Sequence, residues 1–256
     1  MFFSDRSLSG HAPPKPPRKR KHDSIELVQS ALKYINRTRW LWIGTRGVSY
    51  WLWKNDWLKA ELKSHMDQER LIGPNELTGT MEILDRLFFG GLLHPHVLVQ
   101  WRSDMGDQVG ITTFDSDDNG NALISLSPKR AALAGQTPTQ AIISNLLHEM
   151  CHAYILIYAC FGECERPQCK KPHPTYIQKI GAKGHGRAWQ MLAAAVEARA
   201  NKVLGIRVDL ERVTAAWTEY QKSGVWPSNG DVQRLFGGVA PRDQEVLPAT
   251  VWFDLS

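Results

Sequence analysis

Apolar residues recur along this chain with two different periods, and the switches between them mark out helices and a few short strands. After Asp23-Ser24-Ile25-Glu26 the residues Leu27, Val28, Ala31, Leu32 and Ile35 return at helical spacing, so a first helix opens there. Gly73-Pro74-Asn75 then breaks the chain before a helix predicted from Glu76 to Phe88. Val97 to Trp101, Val109 to Phe114 and Asn121 to Leu126 read as short strands, the last two joined by the polar turn Asp115-Ser116-Asp117-Asp118-Asn119-Gly120. That turn imitates the start of a calcium loop, but Leu126 stands where a bidentate Glu would be required.

The most apolar element follows. Thr137 can cap it, Pro138 suits its first position, and Gln140 can complete a reciprocal capping box. From Ala141 to Tyr158 there is neither Gly nor Pro, and Ile142, Ile143, Leu146, Leu147, Met150 and Ala153 form a wide apolar surface, so the helix is expected to be buried. A second helix begins after Gly184-His185-Gly186-Arg187, with Ala188, Trp189, Leu192 and Val196 on the face that His185 heads. Val208 to Tyr220 predicts a last helix. The tail beyond Gly224, rich in Pro and Gly, either docks on the body or stays loose.

The buried helix carries His148-Glu149-Met150-Cys151-His152. Residues four apart lie close together on one helical face, so both imidazoles can reach one metal ion, and Glu149 on the neighbouring face can take a proton from a water held there. Two imidazoles and a carboxylate in a core are costly without partners, and a metal satisfies them; the plainer alternative is a core helix whose histidines bond to backbone carbonyls. A catalytic zinc site needs a third protein ligand. Ile155 and Tyr158 occupy the places of one common downstream pattern, which leaves His185 as the best candidate and Glu163, Glu165 and Glu197 as competitors. Cys151, on another face, reads as a small packing residue.

These residues resemble the SprT-like zinc metalloprotease family, whose Spartan-type members act on DNA–protein crosslinks. The resemblance rests on His148 to Ala153, on Gly184-His185-Gly186 with an aromatic residue three positions on, and on Leu84 to Leu93, Val97 to Trp101 and Ile124 to Ser127 in that order. It implies an α+β, zincin-like SprT domain, with metal-site helices packed on a small antiparallel or mixed sheet. By the same resemblance Zn²⁺ is held by His148, His152 and His185, Glu149 is the general base, and the protein is a zinc-dependent endopeptidase of DNA-bound or crosslinked proteins in the nucleus. The hairpin at 109–126 would line the substrate path. The expected organisation is a basic arm over 1–23, a Trp-rich extension over 24–75, the SprT-like domain over 76–205 and a C-terminal helix and tail over 206–256. The chain departs from the family in lacking a paired Cys-x-x-Cys ribbon near its C-terminus, and no motif for a sliding clamp, ubiquitin or an unfoldase is visible.

Charge alters the nucleic-acid part of this picture. Of 31 basic and 26 acidic residues, the first 23 positions hold six and two, so the remainder is almost neutral. The basicity belongs to the arm, where Lys15, Arg18, Lys19, Arg20 and Lys21 could serve as a nuclear localisation signal or contact phosphates; a solvated tail without function is the alternative. Trp40, Trp42, Trp51, Trp53 and Trp57, interleaved with cations, could stack bases, although core packing or domain docking suits such aromatics better. A zinc-stabilised scaffold that binds DNA or chromatin without turnover is thus the alternative function. Cys160, Cys164, Cys169 and His173 could form a second, structural zinc site, against ordinary reduced cysteines. All four cysteines fall between 151 and 169, which fits a reducing compartment. No secretion signal or membrane span is expected, which leaves the nucleus, or alternatively the cytoplasm, as location; the sequon at Asn36 is then idle.

Overall fold

A computed structural model describes residues 21–37, 60, 62, 72–115, 121–128, 130–132, 136–238 and 251–253, with the backbone alone at 36, 37, 115, 130–132 and 251–253. Lys15, Arg18, Lys19 and Arg20 of the arm and the tryptophans from 40 to 57 lie outside these residues. Lys21 lies at their edge, exposed.

Helix α1 (Ser24–Arg37) begins where Asp23 Oδ1 accepts the Ile25 and Glu26 N–H groups at 3.0 and 3.4 Å, and it buries Leu27, Val28 and Ile35 against a later helix. Helix α2 (Pro74–Leu84) starts at the proline, two residues before the predicted position, because Gly73 N–H is taken by Glu76 Oε2 at 2.6 Å. It runs into a π-helical turn, Asp85–Phe89, which carries Phe88 and Phe89 into the core. The turn ends at Gly90, whose φ of +73° and close approach to the Tyr34 ring both call for glycine. Asp85, fully buried, then accepts the Leu93 and His94 N–H groups and pins the chain as it enters the sheet.

Strands β1 (Val97–Trp101), β2 (Gly110–Asp115) and β3 (Asn121–Leu126) form a mixed sheet in the order β1-β3-β2, with β1 parallel and β2 antiparallel to β3. Cross-strand partners share a face, so Gly110, Thr112 and Phe114 stand beside Leu126, Ile124 and Ala122. Those three β3 residues are buried, and the central helix α3 (Pro138–Tyr158) covers this face. The helix starts with the predicted capping box, Thr137 and Gln140 each accepting the other's backbone N–H.

Beyond α3 come a 3₁₀ turn at Pro167–Cys169, helix α4 (Pro174–Lys179) and helix α5 (Arg187–Leu204), which packs on α1 and α3. Helix α6 (Arg212–Ser223) starts four residues later than the predicted one. Part of the tail docks: helix α7 (Asn229–Phe236) places the buried Asp231 3.1 Å from Arg187, and β5 (Val251–Phe253) pairs antiparallel with β4 (Arg130–Ala132) beside α3. One core takes in Leu27 and Val28 of α1, the sheet, α3, α5 and Val208 to Ala215, so the helix at the head of the expected N-terminal extension packs directly on the SprT-like region. The α+β class and the small mixed sheet match the expectation. No helix among the described residues is long and apolar enough to cross a membrane.

Candidate metal centre

His148 and His152 lie one helical turn apart on α3, and the loop that ends at the N-cap of α5 brings His185 to meet them. The three Nε2 atoms stand 3.2, 3.3 and 3.0 Å from one another. Nitrogens about 2.0–2.1 Å from a tetrahedral ion would be about 3.3–3.4 Å apart, so the donor set closely matches a zinc face. Protons alone do not satisfy it. Nδ1 of His148 bonds to the Leu210 carbonyl at 2.9 Å, which makes Nδ1 the donor and leaves Nε2 a bare lone pair. Whichever of the other two rings then carries an Nε2 proton, one of the three contacts still opposes two lone pairs or two hydrogens. A cation removes the conflict.

Burial keeps these rings neutral. It pulls His148 down to about 4, against the opposing effect of the Leu210 carbonyl, and His185 down to about 3, with help from His148 and Lys183. His152 is lowered by burial and then by its two histidine neighbours. Neutral imidazoles are ligands without having to shed protons. The fully buried Trp189 indole packs against all three rings, with centroids 4.7 Å from His148 and His185 and 5.3 Å from His152. Nδ1 of His185 is buried with no hydrogen-bond partner among the described residues, so packing and its backbone hold that ring.

Glu149 points to the sheet. Thr112 Oγ1 donates to its Oε2 at 2.7 Å, and the carboxylate lies over Gly110, where a Cβ would come within 2.7 Å of Oε1. Gly110 and Thr112 are two apart on one strand, so both face the helix.

Two supports of the centre went unrecognised in the sequence. The first is Glu219 of α6, only 5% exposed, whose carboxylate accepts the N–H groups of Ala182, Lys183 and His185, the last two at 2.9 and 3.2 Å. It gathers the loop that presents His185. Its sequence signal is a carboxylate on the apolar stripe of Ala215 and Ala216. The second is the Leu210 carbonyl, which no side-chain pattern could announce. Leu210 is held by Glu197, which accepts its N–H at 2.8 Å and pairs with Arg212 at 3.2 Å. Glu197 therefore supports the centre from behind and is no ligand to it, and Glu163 and Glu165 sit exposed in the 160–173 loop.

Cys160, Cys164 and Cys169 form the other potential ligand cluster among the described residues. His173 stays outside it, its Nδ1 accepting Thr175 N–H at the start of α4. Cys151 is fully buried, and its thiol is held well above its usual range by burial, with Glu149 and Glu197 adding to it, so it remains a packing residue.

The SprT-like family model matches residues 77–210, just over half of the chain, a span that includes all three histidines, Glu149 and Leu210. No curated protein and no solved structure matches it.

Proposed function

The chain belongs to the SprT-like family, and from that premise we propose that it is a zinc-dependent endopeptidase, with His148, His152 and His185 as ligands and Glu149 as general base. The observation that carries this reading is the convergence of three neutral Nε2 atoms with a carboxylate held one residue away. Bound there, zinc supplies the Lewis acidity that brings a water toward ionisation at neutral pH and polarises a peptide carbonyl. Glu149 takes the proton of the attacking water and passes it to the leaving amine. Thr112 fixes the carboxylate's rotamer through Oε2, and Gly110 gives it room. Strand β2 lies at the sheet edge among the described residues, so an extended substrate can add to it beside Glu149.

The substrate class we assign is protein held on or crosslinked to DNA, in the nucleus rather than the cytoplasm. Support comes from the cluster Lys15, Arg18, Lys19, Arg20 and Lys21 at the head of an otherwise near-neutral chain. A scaffold that binds DNA or chromatin without turnover gives no account of Glu149, since holding zinc does not require it. Cleavage of histone and casein with and without single-stranded DNA tests this reading. DNA-stimulated cleavage supports it, DNA-independent cleavage reduces it to a general peptidase, and DNA binding without cleavage favours the scaffold.

A further inference from the structure

Outside the histidine centre, the thiols of Cys160, Cys164 and Cys169 lie within 4.8 Å of one another. Sulfurs about 2.3 Å from a tetrahedral zinc would be about 3.8 Å apart, so three corners of such a site are nearly in place. We propose that these three cysteines hold a second zinc ion, a structural one, whose fourth corner is filled by a ligand other than a thiol.

The surroundings favour this. Cys160 is buried and anchored to the body, its N–H donating to the His22 carbonyl at 2.9 Å. Its sulfur accepts the Cys164 N–H at 3.4 Å, a contact that stabilises a thiolate. The chain then doubles back through left-handed Gly162 and Glu165, φ +113° and +62°, and the 3₁₀ turn delivers Cys169 to the other two. From Glu163 to Pro172 every residue but Cys169 is exposed, so almost no apolar burial holds this loop in shape. A metal staple supplies what a core does not. Three thiolates and one Zn²⁺ sum to a single negative charge, and Arg166, Lys170 and Lys171 stand in the same loop to balance it. The loop joins His152 to His185, so stapling it shortens the free tether between two ligands of the first centre.

The test needs only metal and full-length protein under reductant. Elemental analysis should find two zinc ions per chain in the wild type, and one each in His152→Ala and in Cys164→Ser/Cys169→Ser. After cobalt exchange, a thiolate-to-cobalt charge-transfer band should appear in the wild type and in His152→Ala, and vanish in the double cysteine variant. No zinc in His152→Ala, or bound cobalt without that band, overturns the proposal. Should the double variant fail to fold, the cobalt spectrum of His152→Ala still decides. That protein lacks a ligand of the first centre, so the result stands apart from the peptidase reading.

Discussion

Gly110 lies directly against Glu149: a single carbon added to the glycine would meet carboxylate oxygen Oε1 at 2.7 Å and Cγ at 2.9 Å. The strand backbone thereby sets how the carboxylate sits beside the histidines. Gly110→Ala should displace it without touching a ligand. A misplacement of about 1 Å costs on the order of 10²-fold in rate. Steady-state kinetics should show that fall in kcat with zinc content unchanged, and an alanine variant with wild-type turnover would contradict the assignment.

Thr112 should matter by a smaller amount. Its hydroxyl donates to Glu149 at 2.7 Å, and a hydrogen bond to a charged group is worth about 1.5–3 kcal/mol, which corresponds to a loss of about 10- to 100-fold. Thr112→Val should lose that activity and Thr112→Ser should keep most of it. Wild-type turnover in Thr112→Val would contradict this role for the hydroxyl.

Glu219 touches no metal ligand side chain, yet it holds the backbone of the His185 loop through three N–H groups. Glu219→Ala should weaken zinc binding by about 10- to 100-fold, the range for groups that orient ligands. Competition with a chelator of known affinity measures this. Unchanged affinity in a folded variant would mean that the loop keeps its shape without the carboxylate.

The buried histidines also predict how the metal-free protein responds to acid. Unfolded imidazoles take up protons near 6.5, whereas His148 and His185 resist until about 4 and 3. Between those values the unfolded chain binds more protons, so stability falls as pH drops from about 6.5 toward 4. Buried Asp85 and Glu197 oppose this, since burial raises their pKa and their contribution is lost as pH rises. Comparing the pH dependence of Tm for metal-free wild type with that of His148→Gln/His185→Gln cancels the carboxylates. The wild type should show the steeper decline, and equal slopes would refute the account.

How much of this was legible in the sequence depended on how local each feature is. The capping box of Thr137 and Gln140, the uninterrupted helix behind it and the stripe headed by His185 are written within a few residues, and the structure has them where periodicity placed them. Helix α7 also carried a local signal, Ser228 capping and Asp231 three residues on, but Gly and Pro around it obscured the pattern. The support from Leu210 and Glu219, and the clearance at Gly110, arise only when elements distant in sequence pack together. The cysteines were visible as a group, while only the fold separates Cys169, inside the cluster, from His173, which caps α4.

The central claim, that a zinc centre at these histidines works with Glu149 to cut peptides, is tested most directly by zinc content and proteolysis measured together on Glu149→Gln. The substitution keeps the size of the side chain and removes its capacity to take a proton. The variant should retain the zinc of the wild type and lose at least about 10²-fold in cleavage, the usual contribution of a general base. Full proteolysis by that zinc-loaded variant would contradict the account.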